Sequence, residues 1–129
     1  MMHLRTLFLY SLPFLFYTVT AVSAEGTPKV DCNDPQSTYE INYCAEKAYQ
    51  SADAALNRAY KNLMNSGLSA EEQALLKTAQ RTWIKFRDEH CEYAVYGARG
   101  GTGFSGFLNA CLQDMTEERI RSLEKSYLE

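Results

Sequence analysis

Residues 80–91, Gln-Arg-Thr-Trp-Ile-Lys-Phe-Arg-Asp-Glu-His-Cys, crowd most of the chain's chemically capable side-chain types into twelve positions. An acid/base enzyme would need His90 and a second titratable group facing one cavity, Asp88 with Glu92 could bind a cation, and Cys91 could serve a zinc ion. Periodicity separates these groups. Residues four apart share a helix face, so Ala79, Trp83, Arg87 and Cys91 form one stripe, while Lys85, Asp88, Glu89 and Glu92 fall mostly on others. Trp83 and Phe86 are expected in the core.

No constellation elsewhere completes an active site. There is no serine in a strand-to-helix elbow and no His-Glu-x-x-His, and the glycine-rich run Gly97–Gly103 follows no strand, so it does not read as a phosphate loop. The cysteines, Cys32, Cys44, Cys91 and Cys111, lack Cys-x-x-Cys spacing, which disfavours zinc. The expectation is no catalytic residue, no metal, no cofactor and no enzyme.

The elements that must position these residues are helical. Ile41, Ala45, Ala48, Ala52, Leu56, Ala59 and Leu63 recur at three- and four-residue steps, predicting a helix over 38–66, with Ser37 and Glu40 in capping-box relation and Gly67 beyond its end. A second capping box, Ser69 and Glu72, opens a helix running to Gly97. The third, carrying Leu108, Cys111, Leu112, Met115, Ile120 and Leu123, is entered from a turn over residues 97–106 that holds five of the seven glycines. The connection between the first two helices is too short for anything but an antiparallel pair. The fold class is all-α, a small three-helix up-down-up bundle.

The chain begins with His3 and Arg5 ahead of an apolar run from Leu7 to Val19, then Val22-Ser23-Ala24. This is the pattern of a secretory signal peptide over residues 1–24, shorter than the roughly 20 apolar residues of a membrane span. The remaining domain, residues 25–129, is expected in the periplasm or secreted, with no membrane attachment after cleavage. Of the 13 Lys and Arg, Arg5 leaves with the signal, so 12 stand against 16 Asp and Glu, a net of −4. An acidic exported domain disfavours nucleic acid and mildly favours basic partners.

Four cysteines in an oxidising compartment read as two disulfides. Three connectivities are open, and sequence does not choose among them. The pairing that closes the smallest loops joins Cys32 to Cys44 and Cys91 to Cys111. Register arithmetic across the antiparallel helices also brings Asp53 within about one turn of Trp83 and Arg87, with Arg119 level with Trp83. A half-buried carboxylate needs partners, so a polar network of Asp53, Asn57, Trp83, Arg87 and Arg119 is expected, Asp53 pairing with Arg87 or Arg119.

Read together, the first Cys, the capped helix reaching Cys44, Ala52-Asp53 followed by Leu56-Asn57 and Tyr60, then Gln80, Trp83, Arg87-Asp88 and Cys91, Gly100-Gly101-Thr102, Cys111, and Thr116 followed by Arg119 form a pattern. It resembles the LprI-type lysozyme-inhibitor domain family over residues 31–123. Ile41 stands where the family commonly has Met, and Phe86 where it commonly has Tyr. The resemblance implies a helical, disulfide-bonded exported domain that binds a protein partner, a lysozyme or another peptidoglycan-cleaving enzyme, in host defence or as immunity to a delivered toxin. The alternative is an accessory or structural cell-envelope protein without inhibitory activity. An inhibitor of a cleft enzyme needs a protruding element, and the turn from Tyr96 to Phe107, with Arg99, Gly100, Gly101, Thr102, Phe104 and Ser105, is the candidate partner-binding loop.

Overall fold

The computed structural model describes residues 30–125. The signal peptide expected over residues 1–24 lies outside the described residues. Three α-helices follow one another, α1 (Thr38–Met64), α2 (Ala70–Ala94) and α3 (Phe104–Glu124), with a single 3-10 turn at Tyr96–Ala98. Both disulfides are formed in the smallest-loop pairing, Cys32–Cys44 and Cys91–Cys111, with Cα separations of 5.5 and 5.7 Å.

Local chemistry accounts for the first two helix starts. Ser37 and Ser69 each accept a hydrogen bond from the backbone N–H three residues on, and Glu40 and Glu72 reach back to the cap N–H, closing both capping boxes. The hydrogen bonds from Ser69 hold the Glu72 carboxyl below its ordinary pKa. Gly67, at φ +94°, takes the left-handed conformation that lets the chain reverse between α1 and α2.

The expected boundaries shift at the glycine-rich segment. Its first part winds into the 3-10 turn, and Phe104, Ser105, Gly106 and Phe107, read as loop, form the first turn of α3. Sequence gave no sign of this start because Gly103, at the cap position, has no side chain to cap with. The cap comes from α1 instead. Asn42 Oδ1 accepts from the Gly106 N–H at 3.0 Å, the third helical position that Ser37 and Ser69 serve locally, and its Nδ2 donates to the Thr102 carbonyl at 2.7 Å.

This staple fixes how α1 and α3 meet. They run in the same direction, with residues 42 and 106 together at one end and Leu63 beside Leu123 at the other. The closest backbone packing is between these two helices, not between the successive pair α1 and α2. Side-chain size explains the difference. The α1 face carries Ala45, Ala52 and Ala59, and Gly106 allows contact that a methyl would block: a Cβ there would stand 2.5 Å from Asn42 Oδ1. α2 meets the pair through longer side chains.

The core is thin and partly polar. Ala52, Leu56 and Cys91 are its buried apolar residues, joined by buried Gln80, Arg87 and Thr116. Leu63, Leu76, Leu108, Leu112, Met115, Ile120 and Leu123 are half-buried around them. Phe86, expected inside, is 56% exposed and lies against His90, with ring centroids 5.5 Å apart. It sits one position from Arg87, and only one of two such neighbours can face the axis of the bundle.

The staple predicts a non-additive pair of substitutions. Asn42→Ala should cost about 1 kcal/mol, the loss of a helix cap. Gly106→Ala alone should cost at least as much, because its methyl displaces Asn42. In the Asn42→Ala background, however, Gly106→Ala should be neutral or stabilising, since the obstructing carboxamide is gone and alanine favours the helix. Urea denaturation of the four proteins checks this, and additive losses would show that the staple is not the reason for glycine.

Candidate functional site

The helices converge on Arg87. Its side chain is 6% exposed, and its guanidinium touches all three. Nη1 donates to Asp53 Oδ1 on α1 at 3.3 Å and to Thr116 Oγ1 on α3 at 3.2 Å. Nε and Nη2 both lie 2.9 Å from Asp88 Oδ1, on its own helix. Thr116 Oγ1 in turn donates to the Leu112 carbonyl at 2.6 Å, and Asn57 donates to the second oxygen of Asp53 at 3.0 Å. Two rings complete the enclosure: the guanidinium carbon is 5.2 Å from the Trp83 centroid and 5.4 Å from that of Tyr49.

Trp83 is flanked by a second cation. The Arg119 guanidinium carbon lies 5.7 Å from its centroid, and Arg119 Nε donates to Gln80 Oε1 at 3.0 Å. Asp53, expected to pair with Arg87 or Arg119, therefore pairs with Arg87, while Arg119 is held by a buried amide. Burial lowers the Arg119 pKa below its ordinary value. Burial likewise pushes the Tyr49 phenol above its usual 10.0; Asp53 and Asp88 add to that effect, and Arg87 opposes it.

The five network residues named from sequence thus sit in one connected assembly, together with four that were not assigned to it: Tyr49, Gln80, Asp88 and Thr116. Gln80, Asp88 and Thr116 belong to the family pattern, which was the available signal. Asp88 was read onto an outward face, where it remains 55% exposed while its carboxylate reaches back to the neighbouring guanidinium. Chemically, all three nitrogens of the Arg87 guanidinium are engaged, with its charge matched by carboxylates and two rings beside it. That is the chemistry of a cross-brace. His90 stands apart, exposed beside Phe86. Among the described residues no three of His, Cys, Asp and Glu converge to hold a metal ion.

The candidate loop is shorter than expected. Between the 3-10 turn and α3 only residues 99–103 remain, and they fold back onto the bundle. Arg99 pairs with Glu92 and lies over the Tyr96 ring, 5.2 Å from its centroid, and over that of Phe104 at 6.0 Å. Gly100 takes φ +82°, and Thr102 is held by its carbonyl to Asn42. Gly101 would carry a Cβ only 3.2 Å from the Ala98 carbonyl oxygen. Ser105, on the first turn of α3, accepts a bond from Asn109 through its carbonyl at 2.8 Å. What projects from this end is aromatic: Tyr93, Tyr96 and Phe107 are 79%, 67% and 61% exposed.

With this geometry in place, comparison with known proteins gives a consistent result. The family model described as Lysozyme inhibitor LprI matches residues 32–123. That span holds all three helices, both disulfides and the Arg87 assembly. A protein of Rhizobium meliloti (strain 1021), described as uncharacterized, is 33% identical over 124 aligned residues, covering 86% of this chain and 88% of its own. The Escherichia coli (strain K12) protein YecT, also described as uncharacterized, is 33% identical over 70 residues, 46% of this chain and 43% of its own. No solved structure matches.

Two outcomes test the cross-brace. Arg87→Ala should lose about 3 kcal/mol of stability, and Arg87→Lys should recover little of it, because one ammonium cannot reach Asp53, Thr116 and Asp88 together. Asp53→Asn should cost less, since that carboxylate is 40% exposed and Asp88 remains. Wild-type stability of Arg87→Lys in denaturant would refute the geometry.

Tyr49 supplies the pH dependence. Its folded pKa lies above the unfolded value of 10.0, so the fold holds the phenolic proton more tightly than the unfolded chain does. The corresponding stability is fully present below the unfolded pKa and is lost as pH rises through the folded one. Stability should fall less steeply in that alkaline range for Tyr49→Phe than for wild type, measured by denaturation at stepped pH.

Proposed function

We propose that this chain, which belongs to the lysozyme inhibitor LprI family, is an exported protein-binding module whose partner is a peptidoglycan-cleaving enzyme, a lysozyme or a hydrolase delivered by a competitor. The observation that carries the reading is the family match across the entire helical bundle. Three further features support it. Residues 25–129 carry more acidic than basic side chains, which suits a basic enzyme partner by steering its approach. Two disulfides suit a small domain that must stay folded outside the cytoplasm. The turn bearing Tyr96 and Arg99 offers the exposed aromatic and cationic groups enriched at the centres of protein interfaces.

A second reading, an accessory envelope protein without inhibitory activity, is favoured by one fact: most residues of the family pattern are engaged in holding the helices together, which leaves the target to be set by other positions. The two readings separate in one assay. Purified residues 25–129 are added to a panel of basic c-type and g-type lysozymes acting on peptidoglycan, and clearance of turbidity is followed. Inhibition that weakens with added salt is expected. Tyr96→Ser with Arg99→Ser should reduce it by about tenfold with little change in melting temperature. No inhibition of any enzyme in the panel, with no hydrolase retained from periplasmic extract, would favour the accessory role.

A further inference from the structure

We propose that the groove between the first turns of α1 and α3 is the surface that receives this partner, and that it takes a single apolar side chain projecting from a basic protein. The proposal rests on the functional reading above and adds the face and the chemistry of recognition.

The groove has a volume of 460 Å³ and is lined by Thr38, Ile41 and Ala45 from α1 and by Gly106, Phe107 and Ala110 from α3. The same small residues that let the two helices approach at Gly106 leave this hollow above their contact. Its rim is apolar and unsheltered: Ile41 is 51% and Phe107 61% exposed. The amide in its floor is already matched: Asn42 donates to the Thr102 carbonyl and accepts from the Gly106 N–H, so an entering aliphatic or aromatic side chain would displace water without stranding either group of that amide. That combination, a dry-capable pocket with completed hydrogen bonds beneath it, is what an anchor side chain requires.

The surrounding charge identifies the kind of partner. No charged residue lines the groove. Asp31 and Asp34 lie in the segment that leads into α1, and Asp114 lies one turn beyond Ala110 on α3. None of the three is paired with a Lys or Arg among the described residues. Of the cations at this end, Arg99 is neutralised by Glu92, and Lys47, which keeps its charge, lies with the Gln50 amide and the Tyr43 ring, so the three carboxylates outnumber it. A hollow for an apolar anchor framed by unmatched carboxylates fits a basic surface and repels an acidic one.

The test is the affinity of residues 25–129 for the basic lysozymes of the panel, by calorimetry at low and moderate salt. Ala110→Trp fills the groove from an exposed position, and Asp34→Lys with Asp114→Lys inverts its frame while leaving the lining intact. Each should raise Kd by roughly tenfold or more with an unchanged melting temperature, and the charge variant should also flatten the dependence on salt. If a lysozyme binds wild type and both variants equally well, the groove is wrong and the functional reading stands. If no lysozyme binds or is inhibited and no hydrolase is retained from periplasmic extract, the reading fails and the groove falls with it.

Discussion

A buried guanidinium has to be matched on every side, and in this bundle the requirement is met by three different helices. Arg87 reaches Asp53 on α1, Thr116 on α3 and Asp88 on α2, under the rings of Tyr49 and Trp83. A buried ion pair contributes little net stability over an apolar replacement of the same shape, because desolvation offsets most of its attraction. Its effect is on geometry. Rotating α1 by one residue would turn Asp53 away by about 100°, and sliding α3 by one turn would remove Thr116, so one register satisfies the charge while neighbouring registers leave it stranded. With only Ala52, Leu56 and Cys91 as buried apolar residues among the described residues, hydrophobic burial alone would distinguish these registers poorly.

The opposite requirement holds at the disulfide end, where the chain must be held together with little core at all. Cys91–Cys111 ties α2 to α3, Cys32–Cys44 ties the lead-in to α1, and Asn42 ties α1 to the start of α3. Each covers a different pair of segments. Cys91 is fully buried and its sulfur packs 3.6 Å from that of Met115; a bonded cysteine has no proton to donate, so this is a packing contact. The two disulfides act mainly by restricting the unfolded chain and the Asn42 bonds by stabilising the folded one, which explains how an end with so many exposed aromatic side chains can remain ordered.

Legibility in the sequence followed the range of the interactions. The helices of α1 and α2 were readable because their capping boxes and apolar steps lie within a few residues of one another. Loop size favoured the observed disulfide pairing without choosing it, and the nearness of Asp53 to Arg87 followed from simple register, which depends on chain geometry that two antiparallel helices share. The start of α3 was not readable: its cap is an asparagine 64 positions away, and nothing near Gly103 announces a helix. The closeness of α1 to α3 was hidden for the same reason, because it rests on a missing Cβ at Gly106 that matters only once Asn42 is beside it. Thr116 and Gln80 were visible in sequence only as members of the family pattern, and their burial accompanies Arg87 and Arg119 reaching across to them.

This division bears on what a family match can carry. The pattern residues Asp53, Asn57, Gln80, Trp83, Arg87, Asp88, Thr116 and Arg119 all belong to the assembly around the two guanidinium groups, so a chain matching the pattern inherits first of all a register. Positions such as Ile41, Tyr93, Tyr96 and Phe107 make no contribution to that register and are exposed. Because the scaffold draws its specificity from polar matching and covalent closure, its apolar residues are free to face outward at one end without competing for the interior. A domain of this size built on a conventional apolar core would have to bury such side chains to stay folded. Here they remain available to a partner, and the choice of partner can change through surface substitutions that leave the Arg87 assembly and the two disulfides untouched.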